Sequence, residues 1–122
     1  MSTAVATVEF QRQAGDVQGA IDSIFPEHII ERVLLVTPPD AEAAQFREDT
    51  AKRRRYPNYP PYGLAVIAQK LRQAGIEVQI LNLNHEVLKA CVDGAFFNFD
   101  DVWHDRLERA LESFSPDLVA VT

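Results

Sequence analysis

The residues able to do chemistry gather at the ends of two apolar runs. Thr37, Pro38 and Pro39 follow "RVLLV", and Asn82, Asn84 and His85 close "IEVQILNLNH". Between them come Arg53, Arg54 and Arg55, then Pro61, Tyr62, Gly63 and Leu64. Three arginines in a row can meet a phosphate or carboxamide edge, and the plainer reading of such a run is a solvated face. Asn82 and Asn84 stand where dinucleotide folds place an acidic ribose ligand. The chain lacks Gly-x-Gly-x-x-Gly, which argues against a nicotinamide site. His85 has no second metal-type residue spaced with it, so it reads as a surface or helix-start histidine. His28 and His104 have less to recommend them. Cys91 is the only cysteine and cannot by itself hold an iron–sulfur cluster, which takes several thiolates. It reads as a small buried apolar residue. No residue is a good candidate for acid–base catalysis.

The elements that must position these residues are legible from periodicity. Val33–Val36 is a continuous apolar run, as expected for a parallel strand covered on both faces, and Pro38 and Pro39 end it. Residues 41–61 are polar, basic and proline-containing, too long for a routine connection. Gly63 opens a helix with the stripe Leu64, Ile67, Ala68 and Leu71, and Gly75 stops it. "IEVQILNL" is a second strand, so strand, crossover helix and strand make a parallel unit. Residues 86–92 read as a short helix and "DGAFFNFDD" as an aromatic loop, a packed lid or a contact with a further domain. Asp101 is placed to cap a helix with the stripe Trp103, Leu107, Ala110, Leu111 and Phe114, which reads as core. Leu118–Thr122 is a third apolar strand. The expected fold is α/β, an open parallel sheet of the doubly wound, Rossmann- or flavodoxin-like kind, with the three strands adjacent. Residues 1–31 read as a leader with a weak strand over 4–10 and a short helix over 16–25.

Length and composition bound the function. The 122 residues suit one domain. Twelve basic against 18 acidic residues give a net charge of −6, which argues against a generic nucleic-acid or anionic-membrane binder. No apolar run is long enough to span a bilayer. With no basic start and apolar block at the N-terminus, and one cysteine, a cytoplasmic location is expected. A doubly wound sheet has five or more strands as a rule, and three are readable here. The expectation is the N-terminal part of a longer protein, whose exposed sheet would favour self-association.

The ordered set Thr37-Pro38-Pro39, Pro61-Tyr62-Gly63-Leu64, Gly75-Ile76-Glu77-Val78 and Pro116-Asp117 resembles the cobalamin-binding domain that precedes the catalytic barrel of many radical S-adenosylmethionine enzymes. The resemblance runs from Arg32 to Thr122. It implies a cobalamin site formed by Thr37, Pro38, Pro39, Pro61, Tyr62, Gly63, Leu64, Asn82, Asn84 and Thr122. It further implies methyl transfer or a radical rearrangement in the intact enzyme. S-adenosylmethionine and a 4Fe–4S cluster are expected only in a missing C-terminal domain, because the Cys-x-x-x-Cys-x-x-Cys motif is absent. The Asp-x-His-x-x-Gly motif of the cobalt-ligating type is absent too, since the corresponding place reads Thr37-Pro38-Pro39-Asp40-Ala41-Glu42. The radical enzymes often lack that ligand. Two rivals remain from the residues alone. One is the N-terminal half of a nucleotide-sugar glycosyltransferase, which shares the Gly-started helix and Gly-x-x-Val strand but has a short, glycine-rich first loop. The other is a flavodoxin-like protein-interaction module.

Overall fold

The structure is a computed structural model and describes residues 16–122. The strand expected over 4–10 lies outside the described residues. Helix α1 spans Asp16–Ile24 and strand β1 Arg32–Thr37, with the short helix α2 at Glu48–Lys52. Helix α3 spans Tyr62–Gln73, strand β2 Glu77–Asn82 and helix α4 Leu83–Asp93. Helix α5, Phe99–Phe114, leads into strand β3, Leu118–Val121.

The three strands form one parallel sheet in the order β2-β1-β3. Val33 pairs in register with Val78 on one side and Leu118 on the other. Successive side chains of a strand point to opposite faces, and β1 uses both. Val33 and Leu35 pack with Val17 and Ile21 of α1 and Leu64, Ala68 and Leu71 of α3. Leu34 and Val36 pack on the opposite face with Leu83 and with Trp103, Leu107, Ala110 and Phe114 of α5. Burial on both faces is why this strand reads as an unbroken apolar run.

Local chemistry sets the boundaries. Gly75 takes φ +86, and the N–H groups of Gly75 and Ile76 bond back to the carbonyls of Arg72 and Leu71 at 3.0 and 3.1 Å. This is a Schellman end, closed by the apolar pair Ile76 and Leu71 in the core. Asn82 ends β2 and caps α4, its side chain accepting the His85 N–H at 3.1 Å. The second strand is therefore shorter than its apolar run suggests, because Leu83 already belongs to the helix. Helix α5 is capped by Asn98, not Asp101: Asn98 Oδ1 accepts the Asp101 N–H at 3.0 Å. The helix thus begins inside the segment read as an aromatic loop. Ile67 and Leu111, assigned to apolar stripes, are exposed at 43% and 38%, on the outer shoulders of α3 and α5.

The start of the sheet is tied by Asp117. One carboxylate oxygen accepts the N–H groups of Glu31 and Arg32 at 2.8 and 2.9 Å. Among the described residues no helix is long and apolar enough to cross a membrane.

Candidate ligand site at the carboxyl edge of the sheet

From β1 the chain leaves to one neighbour, β2, through α3 on one face. It reaches the other neighbour, β3, by way of α4 and α5, with α5 on the opposite face. The β1/β3 crevice is therefore the switch point of the sheet, where open α/β folds place ligands outside the strand ends. A trough of about 420 Å³ lies there. Val36, Pro38, Pro39 and Val121 supply its sheet side, and Leu83, Trp103 and Leu107 its helical wall. Ala41, Glu42 and Ala43 of the loop after β1, with Phe99 and Asp100 at the start of α5, complete it. Hydrocarbon and aromatic groups dominate the lining, and Glu42 and Asp100 are its only charged residues. Trp103 is fixed by its indole N–H, which donates to Asp100 Oδ1 at 3.0 Å.

The loop over 38–61 is a folded annex packed against α4. Phe46 stacks on Tyr56 with centroids 5.2 Å apart and also meets Phe97 and Phe99 at 5.5 and 4.9 Å. Beneath these rings lie Ala51, Leu88 and Cys91, all buried. The Tyr56 hydroxyl accepts the Arg47 N–H at 2.9 Å. Two of the three loop phenylalanines thus find their partner in the first long loop, while Phe96 is fully exposed.

The structure divides the residues singled out from sequence. Pro38 and Pro39 line the trough, and Thr37 precedes them, paired with Asn82 in the β1–β2 register. Thr122 sits beside the trough, its N–H donating to the Val36 carbonyl at 3.0 Å. Asn82 and Asn84 act as braces: the first caps α4, and the second ties the annex to it through Asp40 and Pro57. Pro61, Tyr62 and Gly63 begin α3 away from the trough, with Tyr62 72% exposed. Leu64 is buried in the core under α3. His85 lines a different cleft, beside Asn58.

Of the trough lining, sequence reasoning named only Pro38 and Pro39 as site residues, and the helical wall of Leu83, Trp103 and Leu107 was passed over. Trp103 was legible as a stripe residue, and it does pack on the core. What identifies it as a wall residue is its place on α5. A crossover helix runs back against its strands, so its first turns lie at their carboxyl ends. Phe114, at the other end, takes the Arg32 guanidinium on its carbonyl near the strand starts.

The trough lining is mainly apolar and aromatic, with Glu42 and Asp100 at its edge. No histidine or cysteine lines it. No group of three or more potential metal ligands occurs among the described residues. Of its two carboxylates, Asp100 takes the Trp103 indole N–H, and a carboxylate can only accept further hydrogen bonds. No family model matches the chain, and neither a curated protein nor a solved structure does.

Proposed function

We propose that this chain is the cobalamin-binding portion of a radical S-adenosylmethionine enzyme, with the corrin seated at the β1/β3 switch point. The observation that carries the reading is the apolar trough walled by Pro38, Pro39 and Trp103. The ordered motifs around Pro38, Gly63, Gly75 and Pro116 support it. Two prolines and a tethered indole present a stiff surface, so little freedom is lost when a plate packs on it. Val36, Leu83, Leu107 and Val121 keep water from its inner face. Glu42 and Asp100 accept from peripheral amides.

Bound cobalamin supplies the organometallic chemistry of methyl transfer or radical rearrangement. The residues of this chain position it and exclude water, and none performs acid–base catalysis. S-adenosylmethionine and its cluster belong, on this reading, to a further C-terminal domain. His85 is held by Asn58 on the flank of α4 and does not line the trough. With no histidine in the trough lining, a bound Co(II) form would take no nitrogen from these residues. Electron paramagnetic resonance of the Co(II) complex tests this: no nitrogen splitting from the chain supports the site. A splitting that disappears in His85→Ala would move it to the other flank.

A further inference from the structure

A second cleft, of about 230 Å³, opens between the annex and α4, and it shares no lining residue with the trough. Its floor is apolar, from Ala51, Leu88 and Val92 with the Tyr56 ring beside them. Arg54, Lys89 and His85 converge on it. We propose that this cleft binds a small organic anion, a carboxylate or phosphate ester with an apolar body, independently of the trough.

Three observations carry the assignment. First, Arg54 has φ +57, a left-handed conformation that costs a branched or long side chain about 1 kcal/mol or more. The fold enforces it with hydrogen bonds on both sides, Arg54 N–H to the Ala51 carbonyl at 2.9 Å and Arg55 N–H to the Thr50 carbonyl at 3.1 Å. These bonds close the C-terminal end of α2 and set Arg54 in the lining of the cleft. Second, neither Arg54 nor Lys89 has a carboxylate partner among the described ion pairs, in a chain where acidic residues outnumber basic ones. Third, the Asn58 amide nitrogen meets His85 Nδ1 at 3.0 Å. An amide nitrogen only donates, so in this contact Nδ1 is the acceptor and Nε2 is left as the ring's donor. His85 therefore adds an N–H donor to a lining that also holds two cations.

The remaining charged group is Asp93, one turn beyond Lys89 on α4. It leaves the lining with one net positive charge, suited to a singly charged anion. The volume lies below that of drug-sized pockets, which limits the ligand to about a dozen heavy atoms.

Benzoate and phenyl phosphate are the probes, and benzylamine is the control of opposite charge. Binding is read from the His85 ring resonances, identified among the three histidines by their loss in His85→Gln. Both anions should shift these resonances saturably, and inorganic phosphate more weakly because it leaves the apolar floor unused. Arg54→Gln and Lys89→Gln should each weaken benzoate by about tenfold, the usual loss of a charge-assisted hydrogen bond. Both substitutions are at exposed side chains, and an unchanged thermal midpoint separates lost binding from lost folding. Absence of saturable shifts, affinity unmoved by both substitutions, or equal binding of benzylamine would each overturn the assignment. Cobalamin added to the trough should leave these shifts in place.

Discussion

Asn84 accepts the backbone N–H of Asp40 on its Oδ1 at 3.1 Å, so the first turn of α4 grips the loop just after β1. Its Nδ2 donates to the Pro57 carbonyl, also at 3.1 Å, and grips the far end of the same loop. One side chain thus fixes both legs of the annex that walls the trough on one side and the anion cleft on the other. Asn84→Ala should cost about 1–2 kcal/mol of local stability. Hydrogen exchange checks this: the Asp40 amide should exchange about tenfold faster, with β1 amides unchanged. Unchanged protection at Asp40 would show that the aromatic cluster alone holds the loop.

Leu34 is 1% exposed at the centre of β1, under Phe114 and the other α5 residues. Leu34→Ala should lower unfolding stability by about 3 kcal/mol, from lost burial plus the cavity left behind. Ile67→Ala, on the exposed shoulder of α3, should cost less than about 1 kcal/mol. Urea titration of both variants gives the comparison, and equal losses would contradict the assigned stripe.

The Asp117 carboxyl is held below its ordinary value of 3.8, first by the Glu31 N–H, then by that of Arg32, with the Arg32 charge helping. The folded protein thus binds this proton more weakly than the unfolded chain. The stabilisation is present above pH 3.8 and is lost as pH falls through the lower folded value. Asp117→Asn should be less stable than the parent near neutral pH, and the gap in thermal midpoint should close toward about pH 2. A gap independent of pH would remove the carboxylate from this role.

Burial pushes the Cys91 thiol above its ordinary 9.0, with the Glu48 carboxylate adding to the effect and Lys52 opposing it. The residue is fully buried, and its Sγ lies 3.9 Å from the Glu48 carbonyl. The folded protein should resist thiol reagents at about pH 8, and the chain in denaturant should react at one site. The folded state holds this proton more tightly, so the stabilisation is full below the ordinary thiol value and declines as pH rises toward the raised one. Rapid labelling of the native protein would contradict the packing of α2 on α4.

The sheet was legible because β1, β2 and β3 each carry an apolar run and the Gly75 cap separates α3 from β2. The end of β2 was not, because Leu83 continues the apolar run while Asn82 already caps a helix. The same competition hid the start of α5, where Asn98 rather than Asp101 accepts the first free N–H. Pro38 and Pro39 could be placed at the carboxyl edge from the strand they end. Tyr62 could not be placed relative to them. Its position depends on how the annex folds, and that depends on Phe46, Tyr56 and Phe97 meeting across 51 residues of sequence.

Trp103 is the only tryptophan of the chain and forms part of the trough wall, so its emission reports directly on what enters there. A corrin absorbs where indole emits. Cobalamin added to the protein should quench Trp103 emission saturably. Ala41→Phe, which places a ring in the trough, should weaken that quenching by about tenfold or more through lost packing area. His85→Ala should leave it unchanged. No saturable quenching of the folded parent chain, or quenching that survives Ala41→Phe undiminished, would contradict a corrin at the β1/β3 crevice.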